Sequence, residues 1–316
     1  MGNSGLKQHL ETAKKTGVLK ISEGKLSEFP SDFKQLEPLL RTLDLSNNKF
    51  TSLPNDIGSY KLLKHLNVSQ NKLVSLPEML GNLSKLESLS ACSNKLTCVP
   101  QSLSQLVHLK QVYLSHNLIT EFPTVFCGLK HLDVLDLSRN KITHVPNRVS
   151  ELNVTELNLN QNQISSISDM ISRCPRLKTL RLEENCLQLS AIHSSILADS
   201  KVSILALDGN LFDKKNLADT EGFDKYMDRF IDLSLPIISN AKMKLKIMMK
   251  QLMNKFQQNT QIPEDQENDE DDIPKQLRAL HAQVKRRVMP IIHSETHKTS
   301  RKATPRDMSE ERALKL

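Results

Sequence analysis

The chain has 316 residues, no tryptophan, and aromatic side chains at only 4%. Its 43 lysines and arginines against 36 acids give a net charge of +7. No apolar run approaches the roughly 18–20 residues that a membrane helix needs, which excludes a membrane-spanning helix.

Most cores of this size draw volume from aromatics. Here leucine replaces them: 42 of the 50 leucines lie in residues 1–230. That density predicts a layered, repetitive core. The N-terminus, MGNSGLKQHLETAKK, has no apolar h-region, so no secretory signal is expected. Residues 5–15 predict a short amphipathic helix that covers the first coil. Ahead of it, Gly2-Asn3-Ser4 offers a glycine for myristoylation once Met1 is removed. The pattern wants serine or threonine as the fifth residue, where this chain has Leu6. The five cysteines, Cys92, Cys98, Cys127, Cys174 and Cys186, form no CxxC pair and no zinc spacing. They are expected to be small buried hydrophobes in a reducing compartment.

Residues 16–212 repeat. The segments LRTLDLSNNKF, LKHLNVSQNKL, LESLSACSNKL, LKQVYLSHNLI, LDVLDLSRNKI, VTELNLNQNQI, LKTLRLEENCL and VSILALDGNLF align without gaps. Their shared asparagines are Asn48, Asn71, Asn94, Asn117, Asn140, Asn162, Asn185 and Asn210, spaced by 22 to 25 residues. This LxxLxLxxNxL pattern is the leucine-rich repeat. A degraded ninth copy precedes them, with Gly24 where the asparagine belongs. The LxL stretch alternates, so it predicts a short strand with its leucines facing inward. The asparagine amide is placed to pair with buried backbone groups of neighbouring coils. The second half of each coil, xxLPxxLxxL, suits a short helix or 3₁₀ turn that proline opens. The predicted fold is an α/β leucine-rich repeat solenoid: a curved horseshoe with a parallel concave sheet and short helices or 3₁₀ turns on its convex side.

Residues 213–230 predict a C-terminal cap, with Phe223, Tyr226 and Phe230 on one helix face covering the last coil. Residues 231–316 differ in kind. Residues 241–256, AKMKLKIMMKQLMNKF, carry five lysines and no acid. They predict a basic amphipathic helix suited to an anionic membrane or to calmodulin. Residues 264–272 hold seven acids and read as a disordered linker, and the last stretch is polar.

The quoted repeats, together with MGNSGLKQHLETAKKTGV, CPRLKTLRLEENCLQLS and EGFDKYMDRF, resemble the intracellular leucine-rich repeat proteins over residues 1–230. The 23-residue, LP-type coil is more distantly similar to Ras-pathway scaffolds. The resemblance implies a non-enzymatic protein on the cytoplasmic face of a membrane, partly cytosolic and lipid-anchored at the glycine that matches Gly2.

The coils contain no nucleophile, zinc or phosphate-binding motif, so neither an enzyme nor a cofactor is expected. Asp44 and Asp136 fall four repeats apart, roughly 19 Å by strand spacing, too far for a catalytic pair. Few aromatics and a net charge of +3 over residues 1–230 argue against nucleic acid. What remains is a protein-binding face. The residue between the two leucines of LxL points outward, giving Lys20, Asp44, Asn67, Ser90, Tyr113, Asp136, Asn158, Arg181 and Ala206. The flanking column includes His65, Gln111 and Glu156. Asp44, His65, Asn67, Gln111, Tyr113, Asp136, Glu156, Asn158 and Arg181 are the candidate contacts, with Tyr113 and Arg181 of the types favoured as anchors. No small-molecule substrate is expected. The alternatives are a lipid-anchored structural protein with no dedicated concave partner, or a calmodulin-type target through the basic tail.

Overall fold

The structure, a computed structural model, describes residues 3–234. Gly2, the basic stretch 241–256 and the acidic block 264–272 lie outside the described residues. Nine parallel strands form one sheet: β1 (Val18–Lys20), β2 (Thr42–Asp44), β3 (His65–Asn67), β4 (Ser88–Ser90), β5 (Gln111–Tyr113), β6 (Val134–Asp136), β8 (Glu156–Asn158), β10 (Thr179–Arg181) and β11 (Ile204–Ala206). The degraded copy therefore supplies a strand like the others. Each strand pairs with the next in register, so Leu19, Leu43, Leu66, Leu89, Val112, Leu135, Leu157, Leu180 and Leu205 form one inward column. The second inward position of each coil, Ile21, Leu45, Val68, Ala91 and then leucine from Leu114 to Leu207, is also buried. No coil closes its own core; stacking does.

Opposite the sheet, 3₁₀ turns recur at Ser31–Leu36, Asn55–Ser59, Glu78–Asn82, Gln101–Gln105, Thr124–Phe126, Asn147–Glu151 and Asp169–Arg173. Proline stands just before the first six of these, at the cap and not inside the turn. Its φ of −64° to −80° extends the chain, and its carbonyl accepts the turn's first bond, as Pro54 does from Ile57. Where proline is missing, Ser168 caps the turn by accepting from Met170 N–H at 3.1 Å. Adjacent turns pack so closely that a Cβ on Gly81 would come within 2.6 Å of the Ser102 carbonyl oxygen. The extended residues before two of the turns, β7 (His144–Val145) and β9 (Ser166–Ile167), pair as a second, two-stranded sheet.

The asparagine ladder is doubled. Asn117 Oδ1 accepts from Leu96 N–H at 3.1 Å. Its amide donates back one coil to the Ala91 carbonyl at 3.0 Å and within its own coil to Leu114 at 2.9 Å. The Ala91 carbonyl also accepts from Asn94, and that of Leu114 from Asn140. Each such carbonyl thus uses both lone pairs on successive asparagines. The residue before each asparagine is left-handed, from Asn47 (φ 55°) to Glu184 (φ 53°), and only Gly209 at the end is a glycine.

Both ends are capped. Helix α1 (Asn3–Thr16), longer than the expected 5–15, buries Leu10 and Ala13 on the first coil. It stops at Gly17 (φ 71°), whose carbonyl accepts from Arg41 and Thr42 N–H. At the other end follow α2 (Ser194–Ala198), α3 (Lys214–Leu217) and α4 (Phe223–Ser234). Of the three aromatics expected on one helix face, Phe223 and Tyr226 are buried and Phe230 is half-buried, its ring centroid 6.3 Å from that of Tyr226. The Tyr226 hydroxyl accepts from Leu205 N–H at 3.1 Å, occupying a donor of the last strand. Arg229 donates to the carbonyls of Val202 at 2.9 Å and Ala198 at 3.4 Å. The cysteines depart from expectation. Cys127 and Cys174 are buried, Cys92 is half-buried, and Cys98 and Cys186 are exposed, because they stand beside the inward positions and not on them.

Candidate functional site

Strand alternation puts the two non-leucine residues of each strand on the open face of the sheet. The register lines up Asp44, Asn67, Ser90, Tyr113, Asp136, Asn158 and Arg181 in one column. Thr42, His65, Ser88, Gln111, Val134, Glu156 and Thr179 form the column beside it. His65 and Gln111 are exposed and the other candidate contacts half-buried.

The candidates divide into two groups. Gln111, Tyr113, Asp136, Glu156, Asn158 and Arg181 occupy four consecutive strands, about 14 Å across at strand spacing. Asp44, His65 and Asn67 lie towards the N-terminal end, separated from Tyr113 by the small side chains of Ser88 and Ser90. In the larger group Arg181 Nε bonds Glu156 Oε1 at 3.0 Å. Burial pushes the Tyr113 phenol above its usual value, and the Asp136 and Glu156 charges add to it. Tyr113 therefore stays a neutral donor. Beside it, His116 Nε2 meets Arg139 Nη1 at 2.9 Å. Burial, then the Arg139 charge, holds the imidazole below its usual value, so it is neutral near pH 7.

Four candidates carry a local duty that alternation does not reveal. Asp44 and Asp136 Oδ1 accept from Ser46 and Ser138 N–H at 3.0 and 2.9 Å. Asn67 and Asn158 do the same for Ser69 and Asn160. These Asx turns end their strands and fix the side chains. Sequence reasoning missed Cys92 on this side. Its signal was the polar column after the second inward position, Ser46, Ser69, Cys92, Ser115 and Ser138.

Among the described residues no group of three or more histidines, cysteines and carboxylates can hold a metal ion. None of their helices is long and apolar enough to cross a membrane.

The leucine rich repeat family model matches residues 38–96, 63–119, 84–142 and 120–164. Among solved structures the chain is similar to a leucine-rich repeat protein of Leptospira interrogans, at 29% identity and TM-score 0.56, over 66% of this chain and 58% of that one. It is similar to a plant ice-binding protein at 27% identity and TM-score 0.52, over 61% and 64% of the two chains. It is also similar to TLR13 in its complex with ssRNA13, at 25% identity and TM-score 0.54, over 64% and 30%. The chain spans less than two thirds of the length of each of these proteins.

Proposed function

We propose that this leucine-rich repeat solenoid, whose residues 38–164 match the leucine rich repeat family model, is a non-enzymatic scaffold whose protein partner docks on the concave face of the sheet. The observation that carries the reading is the group around Tyr113. A half-buried phenol stands in register with Asp136, next to the Glu156–Arg181 ion pair. Two acids, a guanidinium and an amphipathic ring on a rigid sheet suit a protein surface of mixed polarity. The solenoid itself is not selective for ligand class: one similar structure is an ice-binding protein and another is a complex with ssRNA13. The outward columns decide, and here they are polar, sign-balanced and hold one aromatic ring, Tyr113.

We further propose that myristoylation of Gly2 holds the scaffold on the cytoplasmic face of a membrane. One acyl chain binds only marginally, and the lysines of 241–256 are a second signal of the kind stable anchoring needs. Affinity capture from cells with the full chain and with Tyr113→Ala/Arg181→Ala tests the docking face. The double variant should lose the partner while its melting temperature stays within about 2 °C, since half-exposed substitutions cost little. Unchanged capture would move the partner off this face. The intact mass of the cell-expressed protein tests the anchor: a mature N-terminus without the acyl mass would refute it.

A further inference from the structure

Charge is segregated along the solenoid. In eight coils the four residues before the strand are 38–41, 61–64, 84–87, 107–110, 130–133, 152–155, 175–178 and 200–203. Together they hold nine lysines and arginines, all exposed, against two acids, Glu87 and Asp133. Residues 1–230 as a whole carry only +3, so this edge is strongly basic and the rest of the repeat region is net acidic. The opposite edge lacks the bias. The four residues that end one past each ladder asparagine, from 46–49 to 208–211, hold five bases and three acids.

Both acids of the basic edge are already neutralised. Glu87 takes Lys64 at 2.8 Å and Lys110 at 2.7 Å, from the coils on either side. Asp133 takes Arg176. Lys85, Lys130 and Lys178 have no carboxylate within ion-pair distance among the described residues and face water. Because the strands pair in register, every coil delivers its segment to the same edge. At about 4.8 Å per coil the eight segments run on the order of 34 Å. The same segments expose two aliphatic side chains, Leu39 at 40% and Val107 at 56%. They contain no phenylalanine, tyrosine or tryptophan on which a base could stack, and only two imidazoles, His108 and His131.

We propose that this edge is a docking surface for an anionic phospholipid leaflet. A row of lysines and arginines with interspersed aliphatics is the chemistry that sits at a charged headgroup layer. The occupant is a flat polyanion, which a row of bases repeated coil after coil on one edge can contact at many points. Seating the edge leaves the open face of the sheet, with Tyr113 and Arg181, clear of the bilayer. The inference is independent of the concave-face reading and needs no acyl chain.

The test uses the full chain with Gly2→Ala, so that no acyl group contributes, and cosedimentation with vesicles. The vesicles are phosphatidylcholine alone, or with about a third phosphatidylserine, at about 0.1 M salt. Lys85→Glu/Lys130→Glu/Lys178→Glu should weaken binding to the anionic vesicles at least tenfold, since each base near such a surface contributes about a factor of five. Lys49→Glu/Lys72→Glu/Lys95→Glu, with the same charge change on the opposite edge, should weaken it less than about threefold. The tail is present in every variant, so its contribution cancels. Melting curves of both triple variants should match the parent, because all six lysines are exposed. Equal losses for the two triples, or parent binding that ignores phosphatidylserine, would overturn the proposal. Binding to an RNA homopolymer through the same three lysines, without binding to vesicles, would overturn it in favour of nucleic acid.

Discussion

Removing Asn117 should cost far more than removing Asn210, although each makes the same kind of bonds. In Asn117→Ala the Leu96 N–H loses its acceptor in a buried site. Such an orphaned donor costs about 1–3 kcal/mol. The carbonyls of Ala91 and Leu114 keep one partner each, Asn94 and Asn140, both at 3.1 Å, so each loses about 0.5 kcal/mol. The total is about 3 kcal/mol. For a repeat body of this size that is roughly 6–12 °C in melting temperature. Asn210 bonds the Leu182 carbonyl at 2.8 Å, the Leu207 carbonyl at 2.9 Å and Leu187 N–H at 3.1 Å, but all three are only part-buried. Water replaces them when the side chain is cut back, and the cost falls to about 1 kcal/mol, or roughly 2–4 °C. Thermal melts followed by far-UV circular dichroism measure both variants. Equal shifts would refute the doubled ladder as a source of stability in the middle of the array.

Three further outcomes follow from the caps and the titrating groups. Tyr226→Phe should destabilise by about 1–2 kcal/mol and speed amide exchange at Leu205, because the phenol oxygen is that donor's acceptor; unchanged exchange at Leu205 would count against the cap. Glu87 is held at about 2, first by the hydrogen bond from Lys110 and then by that from Lys64. A depressed carboxylate contributes above its unfolded value and loses that contribution as pH falls through about 2. Its NMR titration midpoint should therefore lie near 2 and rise into the ordinary carboxylate range in Lys64→Ala/Lys110→Ala. Burial pushes the Cys127 thiol up to about 11 and the Cys174 thiol up to about 12. Iodoacetamide at pH 8 should therefore label exposed Cys98 and Cys186 well before either of them, as read by peptide mass spectrometry.

The sheet was legible because two periods coincide in the sequence, the alternation of LxL and the 22- to 25-residue asparagine spacing. Together they place Tyr113, Asp136 and Arg181 on one outward column, and the in-register pairing agrees. What stayed illegible is set by bonds without a side-chain signature. A left-handed residue precedes each asparagine, yet residues as different as Ser93, Arg139 and Glu184 occupy it. The ladder bonds on either side impose that conformation, and no glycine announces it before Gly209 in the last coil. The Asx turns of Asp44 and Asp136 were hidden because an aspartate on a sheet face reads the same whether or not it caps a strand. Nothing in the sequence ties Arg229 to the Ala198 carbonyl at the C-terminus of α2, which its guanidinium reaches in the fold. The cysteines were misread for a related reason: Cys98 and Cys186 sit one residue or two from an inward position, and in a coil this tight one residue turns a side chain from core to water. The basic edge escaped notice because its charge is cancelled in the sum over the repeats.

Photo-crosslinking in cells tests the concave-face scaffold most directly. A photoreactive phenylalanine analogue replaces Tyr113 on the sheet in one version of the full chain and exposed Gln101 on a convex 3₁₀ turn in another. Docking on the concave face predicts a discrete protein adduct from position 113 and none from position 101. Adducts from position 101 alone would contradict it.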